Sequence, residues 1–394
     1  MRSTNYNDMM NTMSAKVISI YASDTSGVCS ALYELGGMVV VHDASGCNST
    51  YATHDEPRWY DRKSMIYISA LNETDAIMGN DEKFISDICK AAKDLAPKFI
   101  CICGSPMPAM IGTDFVSAAE EIELRTGIKT FCADTNGTFT YLHGAGQAFR
   151  LLAENFCRQP IATEKSSVNI IGATPLDLST NTSVQSIKTL LEQNGLTVKS
   201  CFAMGSDLDE IIRSSEAEVS LVISSSGIPA AEYLWKRFGI PYVIGVPMGT
   251  NFSAKVIADI KLAAEKKVCV NSCKAHRADG SANNIVILGE SVFASSLAAE
   301  LGGRVISTVE GGCKEVLNCA DITCFDYEEE RLEKILCGLD ENAVIIADPL
   351  FKPICGIKNK CFIPLPQVAF SGRCFLKDIP DLIGKNCAEA LGIN

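Results

Sequence analysis

The sequence predicts an α/β protein made of three related layers, each a doubly wound parallel sheet. Three observations point there. From about residue 97 onward, short β-rich runs alternate with helical patterns of about ten to eighteen residues, the signature of βαβ units. Two polar breaks, RQPIATEKSS (158–167) and NSCKAHRADGSANN (271–284), each precede an apolar strand, a small-residue turn, a helix and a second strand. Near the N-terminus, the apolar strand GGMVVV runs into HDASGC, which puts a Ser-Gly-Cys turn at the carboxyl edge of a sheet. These restarts divide the chain near 1–160, 161–282 and 283–394.

Strands are expected where Val, Ile, Phe and Cys cluster between turn-forming residues. They are Phe99–Cys103, Lys129–Ala133, Val168–Gly172, Val198–Ala203, Val219–Ser224, Tyr242–Val246, Ile285–Leu288, Val305–Thr308, Ile322–Phe325, Val344–Ala347 and Cys361–Pro364. Helical periodicity runs over Asp114–Thr126, Leu142–Phe156, Thr182–Asn194, Ala230–Phe238, Ser253–Lys266 and Ser291–Leu301. The turns 224–227 (SSSG), 172–174 (GAT), 289–291 (GES) and 310–312 (EGG) each lead into a helix. Their backbone N–H groups are therefore expected to face a shared cleft, an arrangement that suits anions.

Composition narrows the function classes. The chain has 394 residues, 47% hydrophobic and 21% charged, so it can bury more than one core. No run approaches the length of a membrane span, and the leader MRSTNYNDMMNTMSAKVISI lacks the apolar core of a signal peptide. A cytoplasmic protein is expected. The net charge of −12 argues against nucleic acid, which asks for a basic face. There is no GxxxxGK[ST] sequence, so the chain is not expected to hydrolyse ATP itself, and the lack of GxSxG, HExxH and a spaced CxxC pair speaks against a serine hydrolase, a zincin and a zinc ribbon. HGAGQA (143–148) lacks the full dinucleotide fingerprint and reads as helix–strand packing, with nucleotide binding as the second reading.

Eighteen cysteines are the outstanding feature. Without a secretory signal, converging cysteines point to iron–sulfur or zinc ligation before a disulfide, and the excess fits an anaerobic host. Cys47 closes the HDASGC turn, and Cys29 lies one helix earlier, able to reach the same spot. Cys101 and Cys103 are read as facing opposite sides of their strand, so that only one joins a given site. Cys103, at the carboxyl end, is the better candidate. Cys89, Cys132, Cys157, Cys201, Cys337 and Cys387 read as small buried hydrophobes. Core or incidental roles fit Cys269, Cys273, Cys313, Cys319 and Cys324. His42 opens the turn, as a hydrogen-bonding residue or as a ligand. His54, Asp55, Glu56, Arg58 and Trp59 form a polar, aromatic cluster that lines a pocket or a partner surface, or is an exposed loop.

These residues resemble a known family. HDASGC is similar to the HGPVGC or HGSQGC turn of nitrogenase component 1 subunits, with Cys29 at the usual upstream position. PMPAMIGTD (106–114), NGTFTYLHGAGQA (136–148), RFGIPYVIGVPMG (237–249), GESVFASSLAAELGGRVISTVEG (289–311), ADPLFKP and IPLPQVAFSGR continue the resemblance in order along nearly the whole chain. The family includes nitrogenase catalytic subunits, their cofactor-assembly homologues, dark-operative protochlorophyllide and chlorophyllide reductases, a nickel-tetrapyrrole reductive cyclase and methylthio-alkane reductases.

The resemblance implies three Rossmann-like domains around a central cleft, in a subunit that dimerises, with itself or with a second component 1-like chain, around an iron–sulfur cluster. It also implies an ATP-dependent iron protein that delivers electrons. Cys29 and Cys47 carry over as cluster ligands. The family's third cysteine falls at Pro106, with Cys103 as a substitute three residues earlier, which favours a 4Fe–4S cluster over an eight-iron one. The cysteine that anchors nitrogenase's cofactor aligns with Ser224, leaving that residue to a substrate or cofactor pocket. The cofactor histidine is replaced near Gln367 or Val368, so dinitrogen is not the expected substrate. His54, Asp55 and Glu56 are the proton-donor candidates. Two other readings stay open: an assembly scaffold that turns nothing over, and a cluster-free α/β binding module.

Overall fold

The computed structural model describes residues 16–21, 23–44, 51, 56–160, 162–276, 284–325, 328–354 and 361–393. Cys47, His54 and Asp55 lie outside the described residues.

Among the described residues three sheets appear in chain order, and every strand pairing within them is parallel. The first holds β1 (Met38–His42), β2 (Met65–Ile68), β3 (Ile100–Gly104) and β4 (Thr130–Ala133), ordered β2-β1-β3-β4. The second holds β5 (Ser167–Ile171), β6 (Thr197–Cys201), β7 (Val219–Val222), β8 (Tyr242–Ile244) and β9 (Val270–Asn271), ordered β6-β5-β7-β8-β9. The third holds β10 (Ile285–Gly289), β11 (Arg304–Ser307), β12 (Ile322–Thr323), β13 (Val344–Ala347) and β14 (Cys361–Pro364), ordered β12-β11-β10-β13-β14. In each sheet the order reverses once: between β1 and β3, β5 and β7, and β10 and β13. Such reversals open a crevice at the strands' carboxyl ends, where doubly wound folds bind ligands.

In the first layer, α1 (Asp24–Leu32), α2 (Glu73–Met78), α3 (Asp81–Leu95), α4 (Pro106–Ile111), α5 (Phe115–Thr126) and α6 (Tyr141–Phe156) surround the sheet. Side chains alternate along a strand, so its faces meet different neighbours. Met38, Val40, Ile100 and Ile102 pack with Phe84, Ile85 and Ile88 of α3 and Ala118, Ala119 and Ile122 of α5. Val39, Val41, Cys101 and Cys103 face the opposite way, into the large core shared with α1, α6 and the other layers. Cys101 and Cys103 therefore share a face, contrary to the expectation that they point apart. The strand repeat is two residues, so positions 101 and 103 are equivalent.

HGAGQA belongs to α6 and serves helix–helix packing rather than helix–strand packing. A Cβ on Gly144 would lie 1.8 Å from the Asp24 carbonyl oxygen, and one on Gly27 would lie 2.0 Å from that of Tyr141. The backbones of α1 and α6 thus touch where both helices carry glycine. Cys337 is exposed, against its expected burial, because Leu332 and Leu336 form the inward face of its helix.

Candidate functional site

The carboxyl ends of β1 and β3 bracket the first crevice. Cys29, on α1, and Cys103, on β3, are both fully buried and lie within electrostatic reach of each other, with Cys103 Sγ donating to the Val40 carbonyl at 3.8 Å. Burial, then the influence of Cys103, push the Cys29 thiol well above its ordinary value. Burial does the same to Cys101, which lies within electrostatic reach of both. As neutral thiols the pair is stable in a dry core. As thiolates they would need a positive partner, which iron supplies. Two soft donors side by side at a strand end fit one edge of a cluster. Among the described residues no group of three or more His, Cys, Asp or Glu side chains could hold a metal ion by itself. A full ligand set would have to draw on residues beyond these.

The surroundings of the pair are polar where they must be. Tyr51 is buried beside both thiols, and its hydroxyl bonds to Ser23 and Ser26. Burial first, then the charge of Cys29, raises its pKa well above the ordinary phenol value. Asp24, wholly buried at the start of α1, accepts from the N–H groups of Thr25 (2.7 Å), Asn136 (3.0 Å) and Gly137 (2.9 Å). That bond set pins the loop before α6 against the thiol-bearing helix. Neither Tyr51 nor Asp24 stands out in the sequence, because no motif marks them.

His42 lies on the other face of β1 from Cys103 and cannot share a site with it. Its Nδ1 is 2.7 Å from Ser69 Oγ, and its ring packs on Phe84 with centroids 4.1 Å apart. It lines an outer cavity of about 220 Å³ with Tyr67, Leu71, Phe84 and Ile111. Burial lowers its pKa from 6.5 to about 4. The unfolded chain therefore takes up a proton between those values that the folded one refuses, so stability falls as pH drops through that window. His42→Phe is expected to flatten the pH dependence of the urea midpoint there; an unchanged slope would refute this account.

Glu56 is not a free acid. It is 2% exposed, and Arg58 Nε donates to it at 2.7 Å. Arg58 also reaches Glu34 (3.3 Å), the carbonyls of Ser30 (2.9 Å) and Ala203 (3.2 Å), and the Tyr33 ring. This buried knot ties the chain after Cys47 to α1 and to the second layer, so the proton-donor expectation for Glu56 gives way to a structural role.

The other two crevices meet behind the first. Ser224, after β7, is fully buried and donates to Asp177 Oδ2 at 2.6 Å, while Tyr141 of α6 donates to Asp177 Oδ1 at 2.6 Å. Glu290, after β10, accepts from the N–H groups of Val292 (3.0 Å) and Phe293 (2.9 Å), from Ser291 Oγ (3.0 Å) and from Ser225 Oγ. The Cys313 N–H donates to Ser225 and Ser291. At two of the four turns the expectation of open anion sites fails, since Glu290 caps its own helix and Ser224 accepts from the Ser226 N–H, whereas the 310–312 turn lines a cavity. Ser224 thus belongs to a closed hydrogen-bond network rather than to a pocket wall.

Open space lies between the first and third layers. One cavity of about 240 Å³ is lined by Tyr21, Phe139, Tyr141, Thr308, Phe325 and Phe370. A second, of about 300 Å³, shares Phe139, Thr140, Val309, Glu310 and Phe325 with it and reaches His143 and Cys313. Thr308 Oγ1 is buried without a hydrogen-bond partner beside the first. Ser23, which holds the Tyr51 hydroxyl, lines that same cavity. The thiol pair and the cleft are thus joined through Tyr51 and Ser23.

Three doubly wound parallel sheets, with a cleft between two of the layers, define a three-layer α/β subunit. Residues 23–283 match the model of the family described as nitrogenase component 1 type oxidoreductase, and the chain belongs to that family. Among curated proteins, a subunit of the light-independent protochlorophyllide reductase of Prosthecochloris aestuarii is 28% identical over 200 residues, which is 50% of this chain and 37% of that protein. The corresponding subunit from Nostoc punctiforme is 26% identical over 206 residues, 50% of this chain and 41% of its own length. The matches thus span about two fifths of these relatives. A structure titled nitrogenase Cp1 at pH 6.5 superposes with a TM-score of 0.70 at 13% identity, covering 95% of this chain and 92% of the other. No helix of the described residues is long and apolar enough to cross a membrane.

Proposed function

We propose that this chain is the catalytic component of a two-component reductase whose substrate is a small or tetrapyrrole-like acceptor rather than dinitrogen. The observation that carries this reading is the closeness of the buried Cys29 and Cys103 thiols at the β1–β3 crevice. Cys29, Cys47 and Cys103 would hold an iron–sulfur cluster, preferably 4Fe–4S, completed by an identical or paralogous second chain. Bound there, the cluster supplies low-potential electrons. This chain's own residues keep the site dry, and Tyr51 and Ser23 lead from it to the aromatic cleft where the acceptor would lie. In this reading the three layers form domains at 1–160, 161–282 and 283–394, and the protein works in the cytoplasm.

The partner that delivers electrons would dock on an apolar surface of the first layer. Ile77 and Met78 of α2 are 75% and 76% exposed, and Met110 of α4 is 86% exposed. Apolar side chains this bare on two helices mark an interaction surface. The test mixes the anaerobically purified chain, its candidate second subunit, an iron protein and MgATP, and follows bleaching of the cluster absorbance. Met78→Asp is expected to slow bleaching at least about tenfold, since a buried unpaired charge costs more than about 1.4 kcal/mol. Dithionite should still reduce the variant fully. Bleaching at the unaltered rate would remove the docking surface, and no bleaching in any protein would remove the reductase.

A further inference from the structure

The junction of the three layers contains an acid that the electron path does not use. Asp177 is 4% exposed and bonded to Tyr141 and Ser224, and its carboxylate faces the charge of Glu290 from the third layer. Tyr141 is shared: its hydroxyl meets Asp177, and the residue lines the aromatic cavity. On the far side, Asp177 lines a separate void of about 10 Å³ with Ser179, Ser183 and Gln367. Ser179 Oγ and Gln367 Oε1 are both buried there without a hydrogen-bond partner. A void that size, edged by two unsatisfied polar atoms and a carboxyl group, suits one water molecule.

We propose that Asp177 is an exchangeable proton store behind the cleft wall, connected to the cleft by Tyr141 and refilled through one water held by Ser179 and Gln367. The inference rests on the reductase reading for its purpose, since adding electrons to an acceptor in the cleft calls for protons as well. The balance is simple. Protonated Asp177 gives its proton to the Tyr141 oxygen as the phenol proton passes into the cleft, and the resulting carboxylate regains a proton that originates in bulk solvent and is relayed through the water, which ends as water again. No oxidant or reductant enters this step. Burial first, and the Glu290 charge second, raise the Asp177 pKa to about 7, so the store can fill and empty near neutral pH. Ser224 and Tyr141 act in the other direction by donating to the carboxylate.

The test is infrared spectroscopy of the full chain, without iron protein or substrate, so its outcome is separable from that of the reductase assay. The expected result is a carboxylic-acid band that disappears with a midpoint at about 7 and is missing in Asp177→Asn. Tyr141→Phe, which keeps the ring and removes one donor, should move the midpoint upward. On transfer to D₂O, exchange of the band should slow about tenfold or more in Ser179→Ala and again in Tyr141→Phe. A band that survives Asp177→Asn, or exchange unaltered in both other variants, would overturn the assignment. Failure of the cluster to bleach in the reductase assay would leave this result standing.

Discussion

Cys29→Ala protein, purified without oxygen, is expected to lose its iron almost completely while keeping its fold. The thiol is fully buried against Cys103, so removing it takes one sulfur from an edge that has only two among the described residues. The cavity left by one sulfur is small, and Cys→Ala in an apolar core costs about 1 kcal/mol, too little to unfold the chain. Cys103→Ala is expected to behave alike, and Cys101→Ala to retain iron even though it shares the strand face. The measurement is iron and sulfide per chain beside the thermal midpoint. Should Cys29→Ala and Cys103→Ala keep full iron, the paired thiols are core residues and other residues hold the metal; a parent protein purified without oxygen and free of iron would instead favour the cluster-free reading.

Gly144→Ala is expected to destabilise the protein by about 3 kcal/mol, the upper end of what overpacking costs. The new methyl would sit 1.8 Å from the Asp24 carbonyl oxygen, and backbone cannot step aside as a flexible side chain can. Separating α1 from α6 would also disturb the Asp24 bonds to Asn136 and Gly137. The variant should therefore lose iron as well as stability, in proportion to its unfolding. Gly79→Ala gives the contrast: that Cβ meets nothing within 4 Å, so only the φ of +70° opposes it. A urea midpoint for Gly144→Ala equal to the parent's would show that the helices do not cross this closely.

Much of the fold can be read in the residues themselves. Val344–Ala347, Cys361–Pro364 and the Ser291–Leu301 helix fall where their apolar runs and bounding residues put them. Most other strands differ from expectation by a residue or two at their ends, where pairing partners rather than composition set the limit. The strand Met65–Ile68 is not legible in the sequence because it is an edge strand of four residues with one face half open. The helix Asp81–Leu95 lies outside the expected set despite its buried Phe84, Ile85, Ile88 and Ala92. HDASGC and the upstream Cys29 signal a thiol site; the register Val41↔Cys103 beside them does not, since pairing between distant strands leaves no local pattern.

The sequence by itself determined three parallel layers, their order along the chain and family membership, because side-chain periodicity and turn chemistry are local properties of the polymer. Only the tertiary structure decided that Cys103 meets Cys29, that Glu56 is spent on Arg58, and that Tyr141, Asp177 and Glu290 converge from three layers. Those contacts join residues far apart in the chain, and burial, which fixes their charge state and partners, exists only once the layers have closed on one another.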